Sequence, residues 1–472
     1  MNEYFSNDSA LITAVLKAFK VNILSIEATT GPSTTLYEIQ PEMGVRISKI
    51  RNLKDEIAIA LQADSVRIIA PIPGRGTVGI EVPNKVRQIV PIESLLQSPD
   101  YLNTDMQLPL ALGTTLTGTN LIADLATMPH LLIAGATGQG KSVCLNSILL
   151  SLINKRTPEE LRLILIDPKQ VEFAPYSALT PYLSMPIGTN GAVAADAINS
   201  SITIMEQRYT ELATHGVRNI QEYNALPDTQ KMPYLVLVID EYGDLIAQTT
   251  GLTNGICRLA QKARAVGIHL IISTQRPSVK IVTGDIKANF PVRIAFRMIT
   301  STDSRVILGK SGAETLTGKG DMLFFNGETT IRAQGTFAST DEVNATITTI
   351  ADKYRYNTYP NPIQQLQEER SKAAQLAELR RKEEMAYAEK LAFLDRACGF
   401  NSPLRKAVTN GEISIDDALR KCYGYVPKFK KNAKHLPMPL RPLGNPLQQL
   451  REERNRAKRK ESTLTTAPAI EP

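Results

Sequence analysis

The stretch Leu131-Leu132-Ile133-Ala134-Gly135-Ala136-Thr137-Gly138-Gln139-Gly140-Lys141-Ser142 decides how the chain is read. Its apolar opening reads as a buried strand. The glycine-rich turn that follows has the spacing Gly-x-x-x-x-Gly-Lys-Ser, and Val143-Cys144-Leu145-Asn146-Ser147-Ile148-Leu149-Leu150 continues it as a helix. Glycines at these places let successive backbone N–H groups curl around the phosphates of a nucleotide, with the helix N-terminus adding a favourable dipole. On this reading Gly135, Ala136, Thr137, Gly138, Gln139 and Gly140 form the cradle. Lys141 meets the outer phosphates, and Ser142 holds Mg²⁺.

A second acidic motif lies about 100 residues downstream. Tyr234-Leu235-Val236-Leu237-Val238-Ile239 is an unbroken apolar run closed by Asp240-Glu241. A parallel strand covered on both faces needs such a run, and acids at its C-terminal end fall where ligands bind in such sheets. Asp240 is expected to support the Mg²⁺ shell, and Glu241 to orient the water that attacks the γ-phosphate of ATP. A further strand, residues 268–273, runs into Thr274-Gln275-Arg276-Pro277, which puts Gln275 beside the acids. His269 within it reads as a core histidine. Asp321-Met322-Leu323-Phe324-Phe325 is expected to close the sheet.

The 472 residues suffice for two or three domains. Residues 1–105 read as a small α/β domain: a helix over 9–19, strands at 34–39 and 45–47, a helix over 52–61, and a hairpin of 66–70 with 78–82 around Pro71-Ile72-Pro73-Gly74-Arg75-Gly76. Residues 106–355 alternate strands with longer helices, the pattern of βαβ units. Residues 356–472 form a charged helical and basic extension. Asn361-Pro362 opens a helix running to about Arg396, the phrase recurs at Asn445-Pro446, and Ile413 to Leu419 starts another helix. These charged helices are either solvated faces or a docking element for a protein partner.

The formal charge of +7 sits at the C-terminal end. Residues 428–460 hold eleven Lys/Arg against Glu452 and Glu453, hence +9; Glu461 and Glu471 subtract two, leaving residues 1–427 neutral. Such a tail is either solubilising surface or an attraction for phosphate backbone. No window of 18 apolar residues marks a membrane span, and Met1-Asn2-Glu3-Tyr4 does not open a secretory signal. Cys144, Cys257, Cys398 and Cys422 lie far apart without metal-ligand spacing and read as reduced thiols, which points to a cytoplasmic protein.

Six motifs occur in order: Pro129 through Ser142, Asp167-Pro168-Lys169, Gly216-Val217-Arg218-Asn219, Asp240-Glu241, Thr274-Gln275-Arg276-Pro277 and Gly318-Lys319-Gly320-Asp321-Met322-Leu323. Together they resemble the FtsK/SpoIIIE family of DNA translocases. Upstream, Ala70-Pro71-Ile72-Pro73-Gly74 and Gly79-Ile80-Glu81-Val82-Pro83-Asn84 resemble the family's α domain. The resemblance implies a RecA-like P-loop NTPase core that assembles as a homo-hexameric ring on double-stranded DNA and hydrolyses ATP to move along it. It also implies that Arg264 reaches a neighbour's nucleotide, unless it forms a plain surface salt bridge, and that Arg276 and Lys287 face DNA. Ser301 stands where members often place lysine. The family's N-terminal membrane spans and its C-terminal winged helix have no counterpart in the pattern. A conjugation or packaging motor, and a DNA-binding scaffold that uses ATP as an assembly switch, are the alternative readings.

Overall fold

The protein is described by a computed structural model covering residues 2–72, 75–399 and 402–423. The basic stretch at 428–460, the second Asn-Pro phrase at 445–454, the last twelve residues, and Pro73 and Gly74 of the hairpin lie outside the described residues.

Alternating sequence near the N-terminus builds four antiparallel strands: β1 (Ile23–Thr30), β2 (Thr34–Pro41), β3 (Arg67–Ile69) and β4 (Val78–Pro83), in the order β1-β2-β4-β3. Helices Asn2–Ala18 and Lys54–Ala60 cover one face. Ile12 and Leu16, one turn apart, pack there with Tyr37, Ile39, Ile57 and Ile80. The expected hairpin forms, with Ile68 opposite Ile80. The expected strand at 45–47 does not. Ile47 opens the helix Ile47–Asn52, because Ile47 and Ile50 are spaced for a helix and Ile50 reaches the core.

The second sheet has nine strands: β5 (Pro109–Thr115), β6 (Asn120–Asp124), β7 (His130–Ala134), β8 (Leu161–Ile166), β9 (Tyr234–Ile239), β10 (Ile268–Thr274), β11 (Val292–Phe296), β12 (Asp321–Phe325) and β13 (Thr330–Gly335). Their order is β6-β5-β13-β12-β11-β7-β10-β9-β8. Strands β11, β7, β10, β9 and β8 run parallel. Every residue of β7, β8, β9 and β10 is buried, which explains their unbroken apolar runs. Leu145, Ile148, Leu149 and Leu152 of the helix Lys141–Lys155 pack onto Leu131, Ile133 and Leu163. This is the α/β, RecA-like core the motifs implied. The sequence expectation that β12 closes the sheet is not met. β12 pairs antiparallel with β13, and β5 and β6 follow. β13 was missed because its sequence, Thr-Ile-Arg-Ala-Gln-Gly, mixes polar groups that find partners only in the folded chain.

The chain divides into two compact units between Ile363 and Gln364. The helix Pro362–Cys398 carries proline at its first position, as read from sequence. Helices Pro403–Thr409 and Ile415–Tyr423 build a small core from Leu394, Val408, Ala418 and Leu419. Cys398 and Cys422 are joined in a disulfide there, which corrects the expectation of four reduced thiols. A separation of 24 residues gave no hint that a helical turnaround brings them together. Cys144 and Cys257 are free. Among the described residues no helix is long and apolar enough to cross a membrane.

Candidate nucleotide site

β7 delivers the loop at residues 135–140 to the C-terminal end of the parallel strands. Gly135 is required there because a Cβ would stand 2.6 Å from Cβ of Phe296 on β11. Gly140 is required by its backbone, at φ 119°, and because a Cβ would sit 2.9 Å from the backbone of Gly320. Directly after it the 15-residue helix Lys141–Lys155 begins, with its N-terminus at the loop. That is the arrangement that favours an anion.

Lys141 is only 4% exposed. Its ammonium pairs with Oδ1 of Asp240, just past β9, and donates to Oγ of Ser273 on β10 at 3.1 Å. Ser273 in turn donates to Asp240 at 2.8 Å. One place along, the Glu241 carboxylate accepts from Oγ1 of Thr274 at 2.9 Å and from the backbone N–H of Gln275 at 3.1 Å. The Gln275 side-chain carbonyl accepts from Thr137 of the loop at 2.9 Å. So the structure brings Lys141, Asp240, Glu241, Gln275 and the loop together, as the sequence predicted. Glu241 holds a left-handed backbone, φ 46°, that turns its carboxylate back toward the strand ends.

Sequence reasoning missed several contributors. Oγ of Ser142 donates to Oε1 of Glu172 at 2.5 Å. Glu172 is placed by the buried Asp167, which accepts from the N–H groups of Lys169, Gln170, Glu172 and Phe173 at 2.9–3.1 Å and so fixes the whole turn. Lys169 lies 3.7 Å from Glu241 and from Asp244. The Asp-Pro-Lys triplet was the only local signal for this turn. Above the loop opens a cavity of about 960 Å³, whose far wall comes from residues 85, 87–90 and 334–337. Nothing in the sequence spacing joins segments so distant.

The FtsK/SpoIIIE family profile matches residues 92–279, and the FtsK alpha domain profile matches residues 1–84. The chain belongs to the FtsK/SpoIIIE family. DNA translocase SftA of Bacillus subtilis (strain 168) is 46% identical over 344 residues, covering 71% of this chain and 36% of the relative. DNA translocase FtsK of Clostridium acetobutylicum is 46% identical over 359 residues, covering 75% and 47%. The chain thus spans about a third to a half of the length of the curated relatives it matches. In fold it resembles the pCW3 conjugation coupling protein TcpA, solved in a monomer form with ATPgS, at TM-score 0.52 and 24% identity over 72% of this chain and 99% of that one.

The remaining residues singled out by likeness to the FtsK/SpoIIIE family lie away from the loop or beside it. Arg264 sits in the short 3-10 turn Ala263–Val266, immediately before β10. It is exposed and makes no ion pair among the described residues, so the salt-bridge reading is not borne out. β7 and β10 run parallel, with Ala134 beside Thr274, so both end at the loop. Arg264 is therefore a strand length, roughly 20 Å, from this chain's own loop. Arg276 is exposed just beyond β10, and Lys287 is half-buried on the helix Gly284–Asn289. Both lie on the segment that leaves the Gln275 end of the site.

Proposed function

We propose that the chain is a P-loop ATPase that drives translocation of double-stranded DNA, with residues 1–105 as an accessory domain, 106–355 as the motor and 356–472 as an extension. The observation that carries this is the convergence of Lys141, Asp240, Ser273, Glu241 and Gln275 at one end of a parallel sheet, against a helix N-terminus. Relatives that are DNA translocases support a DNA substrate.

In this reading Lys141 and the loop N–H groups neutralise the phosphates of ATP. Glu241, held by Thr274 and Gln275, orients and accepts a proton from the attacking water. Ser142 and Asp240 would hold Mg²⁺. Both offer hard oxygens, and Mg²⁺ is commonly bound by one or two protein groups plus phosphates and water rather than by an all-protein cage, so the residues fit the ion. Held there, it would supply positive charge to neutralise the phosphates. Arg264, too far from its own loop, acts in trans on a neighbouring subunit's nucleotide, which makes a ring, as a hexamer, the working assembly. Arg276 and Lys287 contact DNA phosphates and so carry no sequence preference. The extension docks a protein partner, and the motor works in the cytoplasm.

The test is ATP turnover with and without duplex DNA, together with triplex displacement on linear duplex. Wild type should be stimulated by DNA and should displace the third strand. Glu241→Gln should lose both while still binding ATP. Turnover that ignores DNA would overturn the motor reading.

A further inference from the structure

The cavity above the phosphate loop is larger than a triphosphate tail needs. At about 960 Å³ it has the size of a site for a whole nucleotide. Its loop side is polar and glycine-rich. The opposite side comes from Lys85 and residues 87–90 of the segment that joins the two sheets, together with Phe337 just beyond β13.

Two features set this wall apart. Ile89 is 69% exposed and Phe337 is 43% exposed, and both line the cavity. Large apolar side chains at the mouth of a polar cleft suit the flat face of an aromatic base. The wall is also held in place. Phe337 N–H donates to the Val90 carbonyl at 2.8 Å, and Ile92 N–H donates to the Phe337 carbonyl at 3.0 Å. At the other end, Gln88 N–H donates to Pro32 at 2.9 Å. Arg87 donates to the carbonyl of Thr317 at 3.0 Å, tying the segment to the loop that holds Gly320. A pre-positioned surface loses little freedom on binding, so its contacts convert into affinity.

We infer that Ile89 and Phe337 form the base-binding wall of the nucleotide cavity, so that a purine base is gripped by the segment connecting the small N-terminal sheet to the motor sheet. This rests on the reading of the cavity as a nucleoside triphosphate site. The phosphates lie against residues 138–142, and the base extends past Val143 and Cys144 toward the connector. The N-terminal sheet thereby gains a direct link to the presence of nucleotide, because the strap that touches the base is anchored to Pro32 beside β1 and β2.

Binding of ATP and of inorganic tripolyphosphate to the full chain, measured by calorimetry, separates the base from the phosphates. Ile89→Ser and Phe337→Ala should each weaken ATP by about tenfold, the scale of a lost base stack, and leave tripolyphosphate affinity at the wild-type value. Val86→Ser is the matched control: Val86 is 82% exposed on the same segment but does not line the cavity. It should change neither affinity. Thermal midpoints equal to wild type would exclude misfolding. The inference falls if Ile89→Ser and Phe337→Ala bind ATP as wild type does, or if Val86→Ser weakens ATP equally. Failure of the wild type to bind ATP would sink the nucleotide-site reading itself, and this inference with it.

Discussion

Two buried charge clusters lie in the first unit, and they are built differently. In one, Lys141 is shared by Asp240 and Ser273, with Glu241 alongside, and the group borders an open cavity. In the other, Arg332 on β13 grips both carboxylate oxygens of Asp321 on β12, at 2.9 and 2.6 Å, and Glu81 on β4 at 2.5 Å. Arg67 adds a further bond to Glu81 at 3.0 Å. Burial alone would pull the Arg332 pKa down, but the hydrogen bonds and charge of Asp321, and then of Glu81, hold it above its ordinary value. Burial by itself therefore does not mark a working site. The second cluster commits each guanidinium nitrogen of Arg332 to a carboxylate of the protein and ties the two sheets together. The first faces a space where another anion can bind.

The sharpest way to break this comparison is Arg332→Met. It removes the cation shared by two buried carboxylates, leaving Glu81 with Arg67 alone, and should cost about 3–5 kcal/mol, lowering the thermal midpoint by roughly 10 °C, while ATP turnover per folded molecule is retained. Lys141→Ala should do the reverse. Turnover should fall by at least about 10²-fold in a coupled ATPase assay, the scale of losing one donor to developing charge. If both variants lose stability and activity alike, the two clusters are not distinct in kind.

A third measurement probes the opposite end of the same strands. Burial, and secondarily the charge of His269, push His130 down to about 3, while burial pushes His269 down to about 4. Above the unfolded value of about 6.5 both states are neutral. As pH falls from there toward 4, the unfolded chain takes up protons that the folded one refuses, so stability drops, by about 1 kcal/mol per pH unit for each histidine. The double variant His130→Asn with His269→Asn should flatten that slope in thermal melts between pH 6.5 and 4. The smallest effect belongs to Arg67→Met. Arg67 is partly exposed and Glu81 keeps Arg332, so a loss of about 1 kcal/mol or less is expected by denaturant titration.

What the sequence disclosed was local. The strand, loop and helix around Gly135 to Ser142 and the run ending at Asp240-Glu241 are contiguous patterns with one physical meaning each. What it hid was made by contact between distant segments. Glu172 meets Ser142 only because Asp167 folds the intervening turn, and Ile89 meets the cavity only because Val90 pairs with Phe337. The strand expected at 45–47, and the expectation that β12 closes the sheet, failed for a related reason. Three alternating residues fit a helix start equally well, and an apolar run does not say whether another strand will pair beyond it. Cys398 and Cys422 were invisible as a pair because two helices had to fold back first.

Glu241, in its left-handed conformation, has one more consequence. Glycine would adopt that φ without penalty, whereas a side-chain-bearing residue is held there at a cost of roughly 1–2 kcal/mol by everything packed around it. Lys319, which lines the cleft, and Gln170, in the turn fixed by Asp167, share the trait. Relief of that strain offsets part of the hydrogen bonding lost from Thr274 and Gln275, so Glu241→Gly is expected to melt close to wild type while hydrolysing nothing.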